Sequence, residues 1–446
     1  CACLVGSEMC IRDRYKLVVQ EIGLPHIGVQ YLMMPQYGSD NVYVKQGGDI
    51  MKITKIDVIK PRFGNFIKAT GCRVYTDEGI YGDGEASLNT GTGAEAGFAQ
   101  IVDYAPLLIG MDPLCTEMIW DRLYRTQRTF WGENGGPITY GGMSALDMAL
   151  WDIKGKYFNT PIYNLLGGKK RDKLRAYASQ PQFGWRDDFK LAQTPGDLAA
   201  NCKRAVEDGY DAVKVDFLWG TPEFDLLGLR PAAFWDGIEE KVAAVREAIG
   251  PQVDLIVENH GSTDALSVVQ MCDRIEKYNI FYIEEVTVPD PKLTKFVRDQ
   301  IHIPIASGER LQNRWQYRPY FENLSLQIIQ PDLGTCGGIT ETKKVCDMAA
   351  VYEVGVQCHN CHSPISVAAA LHMEAAISNF VIHEDTGRPF YVFPDTGENM
   401  CTKFFVAKDG YMSVPEGPGL GVEWAERTMS ESCKVTVMES DKRDTI

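Results

Sequence analysis

After residue 50 the hydrophobic and polar positions follow two rhythms, one after the other. From Met51 the run Lys-Ile-Thr-Lys-Ile-Asp-Val-Ile alternates polar and apolar at period two, which predicts a strand. Arg73-Val74-Tyr75-Thr76 and Ile80-Tyr81-Gly82 flank the turn residues Asp77-Glu78-Gly79 and predict a hairpin. Residues 92–168 change to helical spacing, best over Thr116 to Thr129 and Ser144 to Tyr157, and Gly167-Gly168 closes the unit. Residues 51–168 therefore read as an α+β domain.

Beyond Lys169 strands and helices alternate. Candidate strands are Leu174–Ser179, Ala212–Phe217, Asp254–His260, Phe281–Val286, Ile303–Glu309, Leu326–Asp332, Gly355–His359 and Phe380–Glu384. Between them, Thr194-Pro195 opens a helix with Leu198, Cys202, Ala205 and Val206 on its apolar face. Ile238, Val242, Val245 and Ile249 form another such face, stopped by Gly250. Eight strands close a parallel barrel, and about 220 residues suit a (β/α)8 barrel of typically ~250. A doubly wound open sheet ranks second, because no G-x-G-x-x-G follows the first strand. The rhythm ends near 390, and residues 391–446 are expected to return to the first domain. Residues 1–50 mix Cys, Met, Gly and Pro without sustained period; they read as an extraneous leader, with the natural start expected at Met51.

The chain has 446 residues, 45% hydrophobic and 24% charged, a globular profile. Its net charge of −15 would repel phosphate backbones and anionic lipid, so neither nucleic acid nor membrane is an expected partner. An acidic substrate would then need a local positive centre. Thirteen cysteines without a paired framework read as reduced thiols in the cytoplasm. Cys358-His359-Asn360-Cys361-His362 contains C-x-x-C-H, also the attachment pattern of c-type haem. The N-terminus lacks a charged-then-apolar export signal and the segment follows a strand, so neither haem nor zinc is expected there.

In such barrels chemistry sits where strands end. Strand ends supply Lys214, Asp216, Glu258, His260, Glu284, Glu285, Glu309, Arg310, Asp332, His359 and Glu384. Singly, each reads more readily as a loop carboxylate or a satisfied polar group. Together, acids ending successive apolar strands would be destabilising unless something positive sat among them. Glu258, Glu284 and Glu309 stand 26 and 25 residues apart, one strand plus one helix each. Three such oxygen ligands suit a hard divalent cation such as Mg²⁺. A carboxylate at Asp332 bonded to His359 would fix the imidazole tautomer and raise its basicity. The competing reading makes His359 a core histidine or a partner of Cys358 and Cys361.

The segments Val257-Glu258-Asn259-His260-Gly261, Ile283-Glu284-Glu285, Gly308-Glu309-Arg310 and Gln330-Pro331-Asp332-Leu333 resemble the mandelate racemase subgroup of the enolase superfamily. So do Gly337-Gly338-Ile339-Thr340 and Pro418-Gly419-Leu420-Gly421-Val422, and the likeness covers about residues 51–446. The resemblance implies a barrel capped by the first domain, Mg²⁺ held by Glu258, Glu284 and Glu309, and an Asp332–His359 dyad. A histidine two residues past the first ligand resembles galactonate and gluconate dehydratases, which implies that His260 is a general acid. Glu384 matches a last-strand acid that donates to the enolate oxygen, and so is expected to be protonated. A two-base racemase of the subgroup carries Lys-x-Lys where this chain has Lys214-Val215-Asp216, which argues against simple racemisation. The expected reaction is dehydration of a sugar acid to a 2-keto-3-deoxy acid, with isomerisation or cycloisomerisation through the same enediolate as the alternative and a silent binding protein third. Lys214, Asp216, Arg310 and Trp185 are the candidate substrate contacts. Further candidates lie in the aromatic loop Phe217–Trp235, at Arg62 and Asn65, and in Phe130-Trp131-Gly132. A homo-oligomer is expected.

Overall fold

Alternation at the start of the second rhythm produces a small antiparallel sheet. In a computed structural model that describes residues 50–61, 69–88, 92–125, 135–186, 190–220, 228, 230–387, 391–393 and 395–443, strand β1 (Ile53–Lys60) pairs with β2 (Gly71–Thr76), and β2 with β3 (Tyr81–Glu85). The tail strand Cys433–Met438 covers the other edge of β1 and completes the first sheet.

Helices α1 (Ala94–Tyr104) and α3 (Pro137–Tyr157) pack on this sheet, and α2 (Thr116–Arg125) packs against α3. The sequence pattern placed the start of α3 seven residues late. Its first turns carry Gly141-Gly142 and no polar face, so no 3.6 period shows there; Pro137 at the first helical position marks the true start. β3 meets α3 almost backbone to backbone: a Cβ on Gly84 would lie 1.8 Å from the Ala145 carbonyl, and one on Gly82 2.0 Å from that of Ala149. Glycine at alternate positions therefore gives the sheet a face that a helix can approach.

After the short α4 (Ile162–Leu165) the second rhythm begins. It runs β4 (Lys173–Ser179), α5 (Pro195–Glu207), β5 (Ala212–Asp216), α6 (Ala232–Ile249), β6 (Asp254–Glu258), α7 (Ala265–Ile275) and β7 (Ile280–Glu284). It continues through α8 (Pro291–Arg298), β8 (Ile305–Ser307), α9 (Arg314–Glu322), β9 (Ile328–Ile329), α10 (Gly338–Val351), β10 (Gly355–Val356), α11 (Pro364–Ala376) and β11 (His383–Asp385). Thr194 caps α5 in a box with Asp197. Among the described residues these eight strands are parallel neighbours in the order β10-β9-β8-β7-β6-β5-β4-β11. Val356 bridges Phe380 just before β11, which joins the two ends of that path and closes the barrel. The remaining elements are β12 (Tyr411–Ser413), antiparallel to β4, then α12 (Glu426–Glu431) and the tail strand, β13.

Every expected barrel strand is present, but most are shorter than the apolar runs implied. β6 ends at Glu258, where His260 turns to a left-handed φ of 48° and the Glu258 side-chain Oε1 accepts the N–H groups of Asn259 and His260.

Two sequence motifs fasten the domains together. Asp147 of α3 accepts from the Thr340 N–H and hydroxyl at 2.9 and 2.6 Å, and Gly338 beside it has no room for a Cβ. Asp152 accepts from Leu420 N–H at 2.8 Å. The buried Glu85, at the end of β3, accepts from Ser363 and Ser366 at the start of α11, a favourable place for an anion. Because Ser363 follows the β10 strand end, the first domain is anchored on the barrel's chemical rim.

Gly84→Ala should lower unfolding free energy by roughly 1–3 kcal/mol, because the added methyl overpacks a backbone contact. Urea unfolding would read this as a fall in midpoint; an unmoved midpoint would mean that β3 and α3 are not in that contact.

Candidate active site

The barrel interior is built in storeys by period-two alternation. Its buried floor holds Tyr177, Ala212, Ile256, Tyr282, Ala306, Ile328 and Ile382. Two residues further along the same strands stand Ser179, Lys214, Glu258, Glu284, Gln330 and Glu384, all buried. Two residues beyond some of these come Asp216, His260 and Asp332. The chemistry occupies those upper two storeys.

Lys214 is the hub of the middle storey. Its Nζ lies 2.8 Å from Glu284 Oε1, 3.0 Å from Glu384 Oε1 and 3.2 Å from Glu258 Oε2. Burial works against the ammonium, but Glu284, Glu384, Tyr177 and Glu258 together hold its pKa well above the usual lysine value. One ammonium among three buried carboxylates leaves a net negative charge in low dielectric. Burial and adjacent Glu258 push Glu284 up to about 8, despite Lys214.

The donor set fits a hard divalent cation on one specific ground. Glu284 Oε2 is buried and accepts no hydrogen bond; Glu258 Oε2, though near Lys214, accepts none of proper geometry. Uncompensated carboxylate oxygens at neighbouring strand ends are what such an ion would satisfy. Glu309 follows β8 beyond the left-handed Gly308, and its Oε2 stands 3.2 Å from His359 Nε2. Among the described residues, the three metal-capable side chains whose donor atoms all lie within 4.8 Å of one another are His359, Cys361 and His362. The three glutamates are thus assembled at one rim without forming a closed cage.

Two imidazoles face this centre. In the ring of strands β6 and β10 are four apart, so His260 and His359 approach from opposite sides. Each is oriented by a carboxylate: His260 Nδ1 is 2.7 Å from Asp216 Oδ2, and His359 Nδ1 is 2.7 Å from Asp332 Oδ2. Burial opposes a charge on His260, but Glu258, Asp216 and Glu309 outweigh it and raise its pKa to about 10. His359 is also raised, against burial, with Glu309 the largest contributor and Cys361 and Asp332 behind it. His362 and His359 together hold Asp332 well below the usual carboxylate range, though burial alone would raise it.

Several expectations need correction. Glu384 is not held as a neutral acid: burial favours that form, but Lys214, His359, Asn360 N–H and Ser179 Oγ overcome it and lower its pKa to about 2. Lys214 is enclosed by carboxylates, so its charge is already committed before a substrate arrives. Asp216 is likewise committed, to His260 and to the Leu218 and Trp219 N–H groups. Trp185 is only 2% exposed and its indole N–H donates to Asp208, so it packs in the wall. The aromatic ring near the mouth is instead Trp219, 47% exposed, 6.4 Å from the His260 ring and edge-on to Phe183. Arg310 is partly exposed and pairs with Glu285 Oε2 at 2.5 Å. Arg62, Asn65, Phe130-Trp131-Gly132 and much of the Phe217–Trp235 loop lie outside the described residues, as does the leader.

Sequence reading missed Ser179, Cys361 and His362 as site residues. Ser179 was detectable as the last residue of the first barrel strand. His362 Nε2 donates to the same Asp332 oxygen as His359, and only the fold could show that. Cys358, by contrast, is buried away from the cluster, its N–H bonded to Glu374.

Residues 197–428 match the family described as Enolase C-terminal domain-like, and residues 69–167 match Mandelate racemase / muconate lactonizing enzyme, N-terminal domain. The chain belongs to the enolase superfamily, in its mandelate racemase subgroup. It is 34% identical over 394 residues to a D-galactonate dehydratase of Pectobacterium atrosepticum, covering 86% of this chain and 95% of that protein. A crystal structure of an enolase superfamily member from Salmonella Typhimurium superposes with a TM-score of 0.83 at 45% identity, over 87% of this chain and 100% of that one. A mandelate racemase subgroup enolase from Agrobacterium tumefaciens gives 0.74 at 26% identity, over 87% and 99%. Members of the superfamily typically use a divalent metal. No described helix is long and apolar enough to cross a membrane.

Asp216→Asn removes a charge and a bond that favour the imidazolium, so the His260 titration should move to lower pH. NMR of the ring protons would report it; an unchanged midpoint would separate His260 from Asp216.

Proposed function

We propose that this hydro-lyase dehydrates a sugar acid, an aldonate such as galactonate or gluconate, to its 2-keto-3-deoxy acid. The carrying observation is the pair of carboxylate-oriented imidazoles on opposite sides of a buried acidic centre. Proton abstraction beside a carboxylate needs a base, a stabiliser for the second negative charge, and an acid for the departing hydroxyl.

Glu258, Glu284 and Glu309 are the residues that would hold Mg²⁺, which when bound supplies a positive charge to the substrate carboxylate. His359 takes the C2 proton. For that it must be neutral, and the charge chiefly opposing this is Glu309, 3.2 Å from its Nε2. Were Glu309 to hold a cation it would no longer favour the imidazolium, which would leave His359 able to act as base. His260, held charged by Glu258 and Asp216, protonates the C3 hydroxyl as it leaves as water. With acid and base on opposite sides, proton and hydroxyl depart from opposite faces. Lys214 keeps Glu384 ionised, holds Glu284 in place, and puts a positive charge below the developing enediolate. The enol product tautomerises to the keto acid.

The isomerase alternative would need no acid at C3, so His260 placed by Asp216 favours dehydration. In a panel of aldonic and aldaric acids with Mg²⁺, His359→Asn should lose C2 exchange with D₂O, by roughly 10²–10⁴-fold. His260→Asn should lose keto-acid formation to a similar degree while retaining exchange. Equal loss of exchange in both variants would contradict the division of roles.

A further inference from the structure

The Asp332–His359 dyad has a third member. Asp332 Oδ2 takes His359 Nδ1 at 2.7 Å and also His362 Nε2 in a still shorter contact. Each ring therefore turns its other nitrogen away from Asp332, and both of these face one sulfur. His359 Nε2 is 3.8 Å and His362 Nδ1 is 3.9 Å from Cys361 Sγ. In a tetrahedral site with zinc bonds of about 2.0–2.1 Å to nitrogen and 2.3 Å to sulfur, neighbouring N and S stand roughly 3.5–3.6 Å apart. Both nitrogen–sulfur distances are within a few tenths of an ångström of that edge, and the three donors lie within 4.8 Å of one another.

The surroundings are those of a metal site. A carboxylate on the far nitrogen of a ligating histidine fixes its tautomer and raises its basicity, and here one carboxylate does this for two rings. Tyr391 Oη donates to the Cys361 carbonyl at 3.3 Å and steadies the loop. Cys361 is partly exposed, and a pocket lined by Asn360, His362, Glu384, Tyr391 and Phe405 gives a second approach to His362. Two imidazoles and a thiolate make a softer donor set than the glutamate cluster across the rim, and soft donors select zinc over magnesium.

We infer that His359, Cys361 and His362 form a second metal site, taking Zn²⁺ or a similar borderline-soft divalent cation, distinct from the glutamate oxygens. The fourth position falls to water. An ion so bound takes the nitrogen that would accept the C2 proton, so zinc inhibits the enzyme at its base. This inhibitory consequence rests on the dehydratase reading; the binding itself does not.

The test uses the full chain in excess Mg²⁺, with Co²⁺ as the spectroscopic probe. Wild type should show a near-ultraviolet thiolate-to-cobalt band that added zinc removes. The near-isosteric Cys361→Ser should lack that band, and Cys361→Ser and His362→Gln should each weaken zinc binding by at least ~10-fold. Superimposable cobalt titrations of wild type and Cys361→Ser would overturn the site, as would displacement of the probe by Mg²⁺, which would place it on the glutamates. Zinc should also inhibit turnover of any sugar acid the enzyme accepts, with Cys361→Ser resistant. A Cys361-dependent band in an enzyme that turns over no sugar acid upholds the site and removes the dehydratase reading. Turnover without the band does the reverse.

Discussion

A buried excess of negative charge is the constraint on which the rest of the structure depends. Glu258, Glu284 and Glu384 converge on the single ammonium of Lys214 at the ends of their strands, out of contact with water. An apolar floor lies beneath them, so there is nothing below to neutralise the surplus. Burying such an imbalance costs several kcal/mol for each unpaired ion, a cost that folding alone gives no reason to bear. The arrangement makes sense if the surplus is there to hold a cation and, with it, an anionic substrate. That also resolves the conflict between the acidic surface and an acidic substrate: attraction is confined to one point at the barrel mouth.

The two imidazoles are set by the same geometry. Each sits one storey above the carboxylates and is fixed through Nδ1 by an aspartate. Their environments differ in a useful way. Glu258 is the largest contributor to the charge on His260, with the Asp216 bonded to its ring behind it, whereas Glu309 is the largest contributor for His359. Asp332, shared between His359 and His362, keeps the thiol of Cys361 in the same circle.

Much of this was legible in the chain. Period-two strands and 3.6-period helices located eight barrel strands, and the spacing of Glu258, Glu284 and Glu309 matched one strand plus one helix. The same alternation carried more than was drawn from it: stepping two residues up from Tyr177, Ala212, Ile256, Tyr282 and Ile382 names Ser179, Lys214, Glu258, Glu284 and Glu384 as one storey. What the chain could not reveal depends on distances across the barrel. Lys214 and Asp216 looked available to a substrate until their partners, 70 and 44 residues away, were seen. Glu384 was expected to be neutral because the last-strand acid it resembles donates to the enolate, whereas the lysine that ionises it comes from another strand. Trp185 and Trp219 are equally aromatic in sequence; only packing separates the enclosed ring from the exposed one.

The most direct test of the account is calorimetric titration of Mg²⁺ into chelator-stripped protein, wild type beside Glu284→Gln. The account requires one saturable site per chain that the substitution abolishes or weakens severely, since it removes a charge and a ligand oxygen together. Absence of saturable binding to wild type, or equal binding to both proteins, would contradict it.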